Sequence, residues 1–240
     1  MSNLIKLKEL ALDILFPPIC LNCENSLVKA EKNNGICDLC LSKIIIHTTL
    51  FCPTCRARLP ENKKTCHQNS AYLLGAAADY DGAVKNIIRR LKYKSWSRLK
   101  NPIGYLLKIY LKNLKLDKAK LKNYLVIPIP LHKNRERERG FNQAELIGKI
   151  ISEKYNLPLA KGILIRNKET KSQTELKNWD ERKNNLTGAF KIENAEYLKN
   201  KNIILVDDVY TSGATVNEAV KTLRTAGAKK IVALVIAKTK

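Results

Sequence analysis

The sequence predicts an α/β fold, a parallel sheet flanked by helices, with a small cysteine-rich module ahead of it. Three observations carry this expectation. From about residue 120, strand-length apolar runs alternate with helical patterns, as strand–helix–strand crossovers require. All seven cysteines of the 240-residue chain fall between Cys20 and Cys66. The stretch 203–215 joins four apolar residues, two aspartates, a loop of small residues and a helix start. Hydrophobic residues make up 45% of the chain, enough to bury a core and to exclude a disordered tail. No run reaches the roughly 18 apolar residues of a membrane span, so no integral membrane segment is expected.

Residues 1–16 read as a short amphipathic helix, with Leu4, Leu7, Ala11 and Leu15 on one face and Phe16-Pro17-Pro18 ending it. Lys6, Lys8, Glu9 and Asp13 interrupt its apolar residues, so no secretion signal is expected. The expected location is cytoplasmic, free or peripheral at the inner membrane face. The helix packs on the main domain or, alternatively, meets a membrane surface or partner.

The cysteine module follows, and the expected division is residues 1–70 for helix plus module and 71–240 for the main domain. Cys20-x-x-Cys23 and Cys37-x-x-Cys40 are two tight turns, each presenting two thiolates. Together they complete the tetrahedral site that zinc prefers. An odd, clustered cysteine count without a secretion signal favours zinc over a disulfide framework. A second set, Cys52-Pro53-Thr54-Cys55 and Cys66-His67, offers three thiolates and one imidazole. Adjacent ligands are awkward because neighbouring side chains diverge. A pairing of Cys37/Cys40 with Cys52/Cys55 is an alternative. Neither set leaves an open position in an obvious way, so the zinc reads as structural.

In the main domain, residues 71–80 read as a strand and Gly82 to Lys92 as a helix. A basic loop, 92–104, precedes a helix from Ile103 to Leu114. Residues 124–129 form a buried strand, 141–154 a helix, and Leu159 to Arg166 contains a strand. Residues 172–185 read as helical. Asn202 to Val206 is a strand, Thr215 to Ala226 a helix and Ile231 to Ala237 a strand. Lys plus Arg exceed Asp plus Glu by 44 to 22, a net charge of +22. Residues 84–123 alone hold thirteen bases and one acid, Asp117. With Tyr93, Trp96 and Tyr105 interleaved, this segment suits a single-stranded nucleic acid partner, and equally a solvated lysine-rich face.

The stretch Ile203-Ile204-Leu205-Val206-Asp207-Asp208-Val209-Tyr210-Thr211-Ser212-Gly213-Ala214-Thr215 carries chemistry. Ligands of open α/β sheets bind beyond the carboxyl ends of strands. A small-residue loop entering a helix offers free N–H groups and a positive dipole end to a phosphate. Thr211, Ser212 and Thr215 add hydroxyls, and Gly213 permits close approach. Carboxylates beside a phosphate site must face something else, and ribose hydroxyls or Mg²⁺ suit them. The expected ligand is a sugar phosphate with a free diol. A Walker B strand is the competing reading, but GxxxxGK[ST] is absent. An ordinary capped strand-to-helix turn is the other.

This stretch resembles the motif by which type I phosphoribosyltransferases bind phosphoribosyl pyrophosphate (PRPP). Nearly the whole chain resembles one branch of them, the ComF family of competence-related proteins. The matching pieces are the CxxC…CxxC module, Pro128-Ile129-Pro130-Leu131-His132, Arg135, Arg139-Gly140-Phe141-Asn142-Gln143, Arg166, Thr170, Gln173, Arg182 and Asn185. The resemblance implies that Asp207 and Asp208 hold the ribose hydroxyls and that Thr211, Ser212, Gly213, Ala214 and Thr215 bind the 5′-phosphate. It places Pro130, Leu131 and His132 in the pyrophosphate loop. Arg135 and Arg139 fall in a mobile loop over the site, with Arg139 joining Asp207 and Asp208 in catalysis. Mg²⁺ accompanies PRPP. The family carries a CxxC pair where this chain has Cys66-His67-Gln68-Asn69. The expected role is handling of single-stranded DNA in natural transformation, with competence-machinery proteins as partners. A non-enzymatic DNA-handling adaptor with a ligand-sensing pocket and a nucleobase salvage enzyme are the alternatives.

Overall fold

The computed structural model describes residues 17–32, 34–60, 66–67, 70–91, 96–115, 118–168 and 187–239. The expected helices over 1–16 and 172–185, the side chains of Tyr93 and Trp96, and Gln68, Asn69, Thr170, Gln173, Trp179, Arg182 and Asn185 lie outside the described residues.

The elements run α1 (Asp38–Ser42), β1 (Leu50–Phe51), β2 (Arg58–Leu59), β3 (Leu73–Asp79), α2 (Gly82–Leu91), α3 (Trp96–Asn113), α4 (Lys118–Leu121) and β4 (Tyr124–Pro128). They continue with α5 (Lys133–Arg139), α6 (Gln143–Tyr155), β5 (Leu164–Arg166), β6 (Phe190–Ile192) and a 3₁₀ turn (Ala195–Leu198). Last come β7 (Asn202–Tyr210), α7 (Ala214–Thr225) and β8 (Ile231–Lys238). Six strands form one sheet in the order β2-β1-β3-β8-β7-β4. β3, β8, β7 and β4 are mutually parallel, whereas β1 is antiparallel to both β3 and β2. Strands β5 and β6 make a separate antiparallel ribbon.

The near-continuous apolar runs of β7 and β8 follow from burial on both faces. Ile204, Val206, Leu234 and Ile236 face one core, built by α2, α3 and α6 and shared with Cys20, Leu27, Ile36 and Cys40. Ile203, Leu205, Ala233 and Val235 face a second core, built by α7, the β5–β6 ribbon, Phe51 and Tyr72. The period-two alternation of strand side chains separates the two sets.

Several boundaries differ from the sequence expectation. The predicted basic loop over 92–104 is helical from Trp96, despite Pro102 inside α3. Ile103, Leu106, Leu107, Tyr110 and Leu111 are all buried on that helix. Burying five large side chains at about 1.5–3 kcal/mol each outweighs the ~3 kcal/mol of an interior proline. Strand β7 runs on to Tyr210, because β8 continues beside it to Lys238. The segment after Pro130 holds a helix, α5, started by His132 and closed by Gly140 at φ 72°. Between Leu159 and Arg166, only Leu164–Arg166 is strand; Leu159 makes a single parallel bridge to Val126.

Candidate functional site

The ligand atoms of Cys20, Cys23, Cys37 and Cys40 all lie within 4.8 Å of one another, and so do those of Cys52, Cys55, Cys66 and His67. The first pairing is therefore Cys20/Cys23 with Cys37/Cys40, not the interleaved one. The adjacent Cys66 and His67 both reach the second cluster. His67 Nδ1 is 3.4 Å from the sulfurs of Cys52 and Cys66, and Cys66 Sγ is 3.3 Å from Cys55 Sγ. His67 thus stands as the fourth donor of the second set, beside Cys52, Cys55 and Cys66.

Both quartets fit a divalent cation, and the thiol energetics give the reason. In the first, the backbone N–H groups of Asn22 and Cys37 each donate to Cys20 Sγ at 3.4 Å. Burial alone would raise the Cys20 thiol, but backbone N–H groups of Cys23, Cys37 and Asn22 pull it down to about 6. The Cys40 N–H lowers Cys37, yet desolvation and the thiols of Cys40, Cys20 and Cys23 push it up to about 12. In the second, burial raises Cys52, but the N–H groups of Cys55 and Thr54, with His67 and Cys66, bring it to about 5. The Cys55 and Cys52 thiols, with desolvation, drive Cys66 up to about 11. In each cluster one thiolate, Cys20 or Cys52, is stabilised, while Cys37 or Cys66 beside it is held as a thiol. A Zn²⁺ held by the four donors of each quartet would relieve that conflict and serve a structural role.

The parallel strands end along one edge of the sheet. Asp79 ends β3, Lys238 ends β8, Tyr210 ends β7 and Pro128 ends β4. Asp207 and Asp208 sit half-buried just inside that edge. Asp207 accepts from the Asp208 N–H at 2.8 Å. Alongside, the Ile129 N–H donates to the Val206 carbonyl at 2.8 Å, so the 129–132 loop, with Leu131 and His132, leaves the sheet next to Asp207. His132 caps α5, its Nδ1 accepting from the Asn134 N–H at 3.4 Å. Helix α5 turns Arg135 and Arg139 inward at i and i+4 and leaves Arg137 exposed. Arg139 donates to Gln143 Oε1 at 3.2 Å. Buried Asn142 caps α6 at the Ala144 N–H and holds the Ile129 carbonyl at 3.1 Å.

Arg166, at the end of β5, is the electrostatic partner of this group. Burial lowers its guanidinium, Arg135 lowers it further, and Asp207 raises it. Arg166 thus feels both the Arg135 guanidinium and the Asp207 carboxylate.

The loop Thr211–Gly213 leads into α7. Gly213 is the N-cap at φ 81° and gives the helix no side-chain cap. A Cβ there would strike the Tyr210 hydroxyl, so glycine is required twice over. Ser212 Oγ accepts from the Ala214 N–H at 3.4 Å, and Thr215 lies in the first turn, half-exposed.

Three residues at this edge had no signal in the sequence. Arg56, one residue past Cys55, donates to the Thr211 carbonyl at 2.8 Å. Tyr72 donates to Asn217 Oδ1 at 2.7 Å and lies 3.0 Å from the Tyr210 hydroxyl. Lys238, nearly buried, bonds Asp79 at 2.9 Å. His47 Nε2 approaches the same carboxylate at 3.3 Å, and Arg58 approaches His47 Nδ1 at 3.5 Å. Only an alignment or coordinates pair residues that far apart in the chain.

Comparison with known proteins agrees with this layout. A double zinc ribbon domain matches residues 11–70, and a phosphoribosyl transferase domain matches residues 142–240. Competence protein F of Haemophilus influenzae is 28% identical over 218 residues, 88% of this chain and 93% of that protein. Competence protein ComFC of Bacillus subtilis is 29% identical over 206 residues, covering 85% and 77%. DNA utilization protein YhgH of Escherichia coli is 27% identical over 220 residues, covering 90% and 94%. The similarity to these competence and DNA utilization proteins runs along nearly the full length of the chain and spans both matched domains, in keeping with the resemblance to the ComF family.

Proposed function

We propose that the protein binds PRPP with Mg²⁺ at the carboxyl edge of its sheet and serves the handling of single-stranded DNA in natural transformation. The observation that carries the first half is Asp207–Asp208 placed one short loop ahead of the Gly213-opened α7, with Arg166 in the electrostatic reach of both Asp207 and Arg135. In this reading the Asp pair holds the ribose diol. Ser212, Thr215 and the first N–H groups of α7 hold the 5′-phosphate. The arginines of α5, Arg139 among them, with Arg166, take the diphosphate as guanidinium forks do. Mg²⁺ bound with the diphosphate would neutralise part of its charge. Zinc in both cysteine quartets is structural.

The DNA half is supported by the names of the relatives and by the described basic surface. On α3, Tyr105, Lys108 and Lys112 share one exposed face at i, i+3 and i+7. On α2, Lys85 and Arg89 are exposed. Among the described residues no helix is long and apolar enough to cross a membrane. We place the protein in the cytoplasm, where incoming DNA, PRPP and competence-machinery partners would meet it.

Calorimetric titration of PRPP–Mg²⁺ into zinc-loaded protein tests the site. The expected result is micromolar binding that falls by more than about a hundredfold in D207A/D208A, since two charged contacts are lost. Single-strand DNA binding of that variant should persist and weaken steeply with salt. Pyrophosphate release on adding an acceptor would mark an enzyme. PRPP binding without release under any acceptor would mark the ligand-sensing adaptor. A well-folded wild type that binds no PRPP overturns the site.

A further inference from the structure

We infer, building on the phosphate reading of the Thr211–Thr215 loop, that Arg56 is a positioning residue for that loop and couples it to the second cysteine quartet.

Arg56 belongs to the metal knuckle by its backbone. It adopts a left-handed φ of 60°, and its N–H donates to the Cys52 carbonyl at 2.8 Å, closing the Cys52–Cys55 turn. Its side chain belongs to the phosphate loop. Nη2 donates to the Thr211 carbonyl at 2.8 Å, Nη1 reaches Thr239 Oγ1 at 3.5 Å, and the guanidinium lies 5.8 Å from the centre of the Tyr210 ring. Thr239 ties down the same spot, its hydroxyl donating to the Thr211 carbonyl at 3.3 Å and its N–H to the Tyr210 carbonyl at 2.9 Å.

A second strut runs beside the first. The Tyr210 hydroxyl donates to the Pro53 carbonyl, inside the knuckle, at 3.3 Å. It also contacts Tyr72, which holds Asn217 on α7. The knuckle therefore grips the loop at its entrance through Arg56 and at its helix end through Tyr210, Tyr72 and Asn217. Gly213 rests on Tyr210 between the two.

Peptide geometry gives this grip a consequence. In a trans peptide the C=O and the following N–H point in opposite directions. A Thr211 carbonyl drawn toward the knuckle by Arg56 turns the Ser212 N–H away from it, to the side where an anion is read by the loop. Arg56 does not touch the ligand; it sets the direction of a donor that does. The orientation holds only while the Cys52–Arg56 turn is itself fixed, which is what a metal on Cys52, Cys55, Cys66 and His67 secures. Metal binding and phosphate binding are then linked, and linkage is reciprocal.

The test compares R56A and R56K with the wild type, all zinc-loaded and full length. Amide hydrogen exchange over 211–215 is read without ligand, and PRPP–Mg²⁺ affinity by titration. In R56A, loop exchange should quicken and PRPP affinity fall by about tenfold, the loss of one charge-assisted bond. R56K keeps a cation but not the fork, and should recover part of both. In the wild type, C55S should reproduce the R56A loop exchange while the first quartet keeps its zinc. C55S combined with R56A should add little, because both act through one connection. Unchanged loop exchange in R56A, or in R56K should R56A fail to fold, overturns the coupling whether or not PRPP binds. A lowered melting temperature with PRPP affinity intact would make Arg56 merely structural and equally overturn it. A wild type blind to PRPP overturns the ligand reading instead, while the exchange measurement still decides the coupling.

Discussion

The two cysteine quartets share a chemistry but grip different parts of the molecule. The first is all sulfur, with Cys20 and Cys40 buried in the core beneath α2 and α3. Its knuckle reaches α2 through Asn22, which accepts from Asn86 at 2.8 Å, and through Glu24, paired with Arg90 at 2.7 Å. The second has an imidazole for its fourth donor, and only Cys52 of its four is buried. Its knuckle reaches Tyr210 and Thr211, at the start of the loop that leads into α7, through Pro53 and Arg56. A zinc knuckle is a rigid turn, and what it contributes depends on what its flanking residues touch. Here one turn contacts a core and the other the loop that opens α7.

The largest effect should come from breaking the quartets one at a time. C40S removes a buried ligand, leaving unmatched thiolates inside the main core. We expect loss of cooperative folding, or melting lower by more than about 10 °C, because structural zinc binding is itself folding free energy. C55S should leave the sheet intact and shift melting far less, with PRPP affinity down by about tenfold, as for R56A. Thermal melts and titration on the same preparations check both. Equal destabilisation by the two variants would erase the distinction.

The contrast was only half legible in the sequence. The four CxxC-type cysteines of the first quartet were legible because a tight turn places two ligands whatever surrounds it. The β7–loop–α7 unit was legible because buried strand, carboxylates and small residues follow one another without a break. The adjacency of Cys66 and His67 argues against both reaching one metal, because neighbouring side chains diverge, yet a bend at 66–67 brings both to one cluster. The roles of Arg56 and Tyr72 rest on contacts 155 and 145 residues away. Nothing in composition or periodicity announces such pairs. The pairing of Phe51 with Leu74, which brings β1 into the main sheet, was hidden for the same reason. Two-residue strands have no period to read.

A smaller effect lies at the ends of β3 and β8, where His47 and Lys238 meet Asp79. Burial, with Lys238 and Arg58, lowers His47 despite Asp79, so the folded protein favours neutral imidazole. Burial alone would raise Asp79, but the Lys238 hydrogen bond and charge, with His47, hold it below its usual range. Both folded values are depressed, and both groups therefore stabilise at high pH. The His47 contribution is complete above its unfolded value of 6.5 and is lost as pH falls from there through the lowered folded value. That of Asp79 persists until pH drops below 3.8. Urea unfolding of the zinc-loaded protein between pH 7.5 and about 5 should show declining stability, with a flatter slope in H47Q. Acid also protonates thiols and releases zinc, so the difference between wild type and H47Q is the quantity to read. Parallel slopes would mean that His47 is not the group that titrates.

The smallest effect should come from the ion pair that joins the first knuckle to α2. Arg90 and Arg56 are formally alike, each an arginine bridging a knuckle and the main domain. Arg90 meets a carboxylate that is 66% exposed, so water and salt screen the contact. Arg56 meets a backbone carbonyl at a half-buried edge, where an unmade bond is costly. E24Q should therefore cost at most about 0.5–1 kcal/mol, and the cost should vanish in molar salt. Asn22 and the buried side chains of the knuckle carry its attachment, so zinc content and PRPP affinity should not move. A cost for E24Q that matched R56A and survived high salt would mean that the first quartet is held by that one charge pair. The two knuckles would then be doing the same job, and the difference drawn between them would have to be sought in their metals instead of their neighbours.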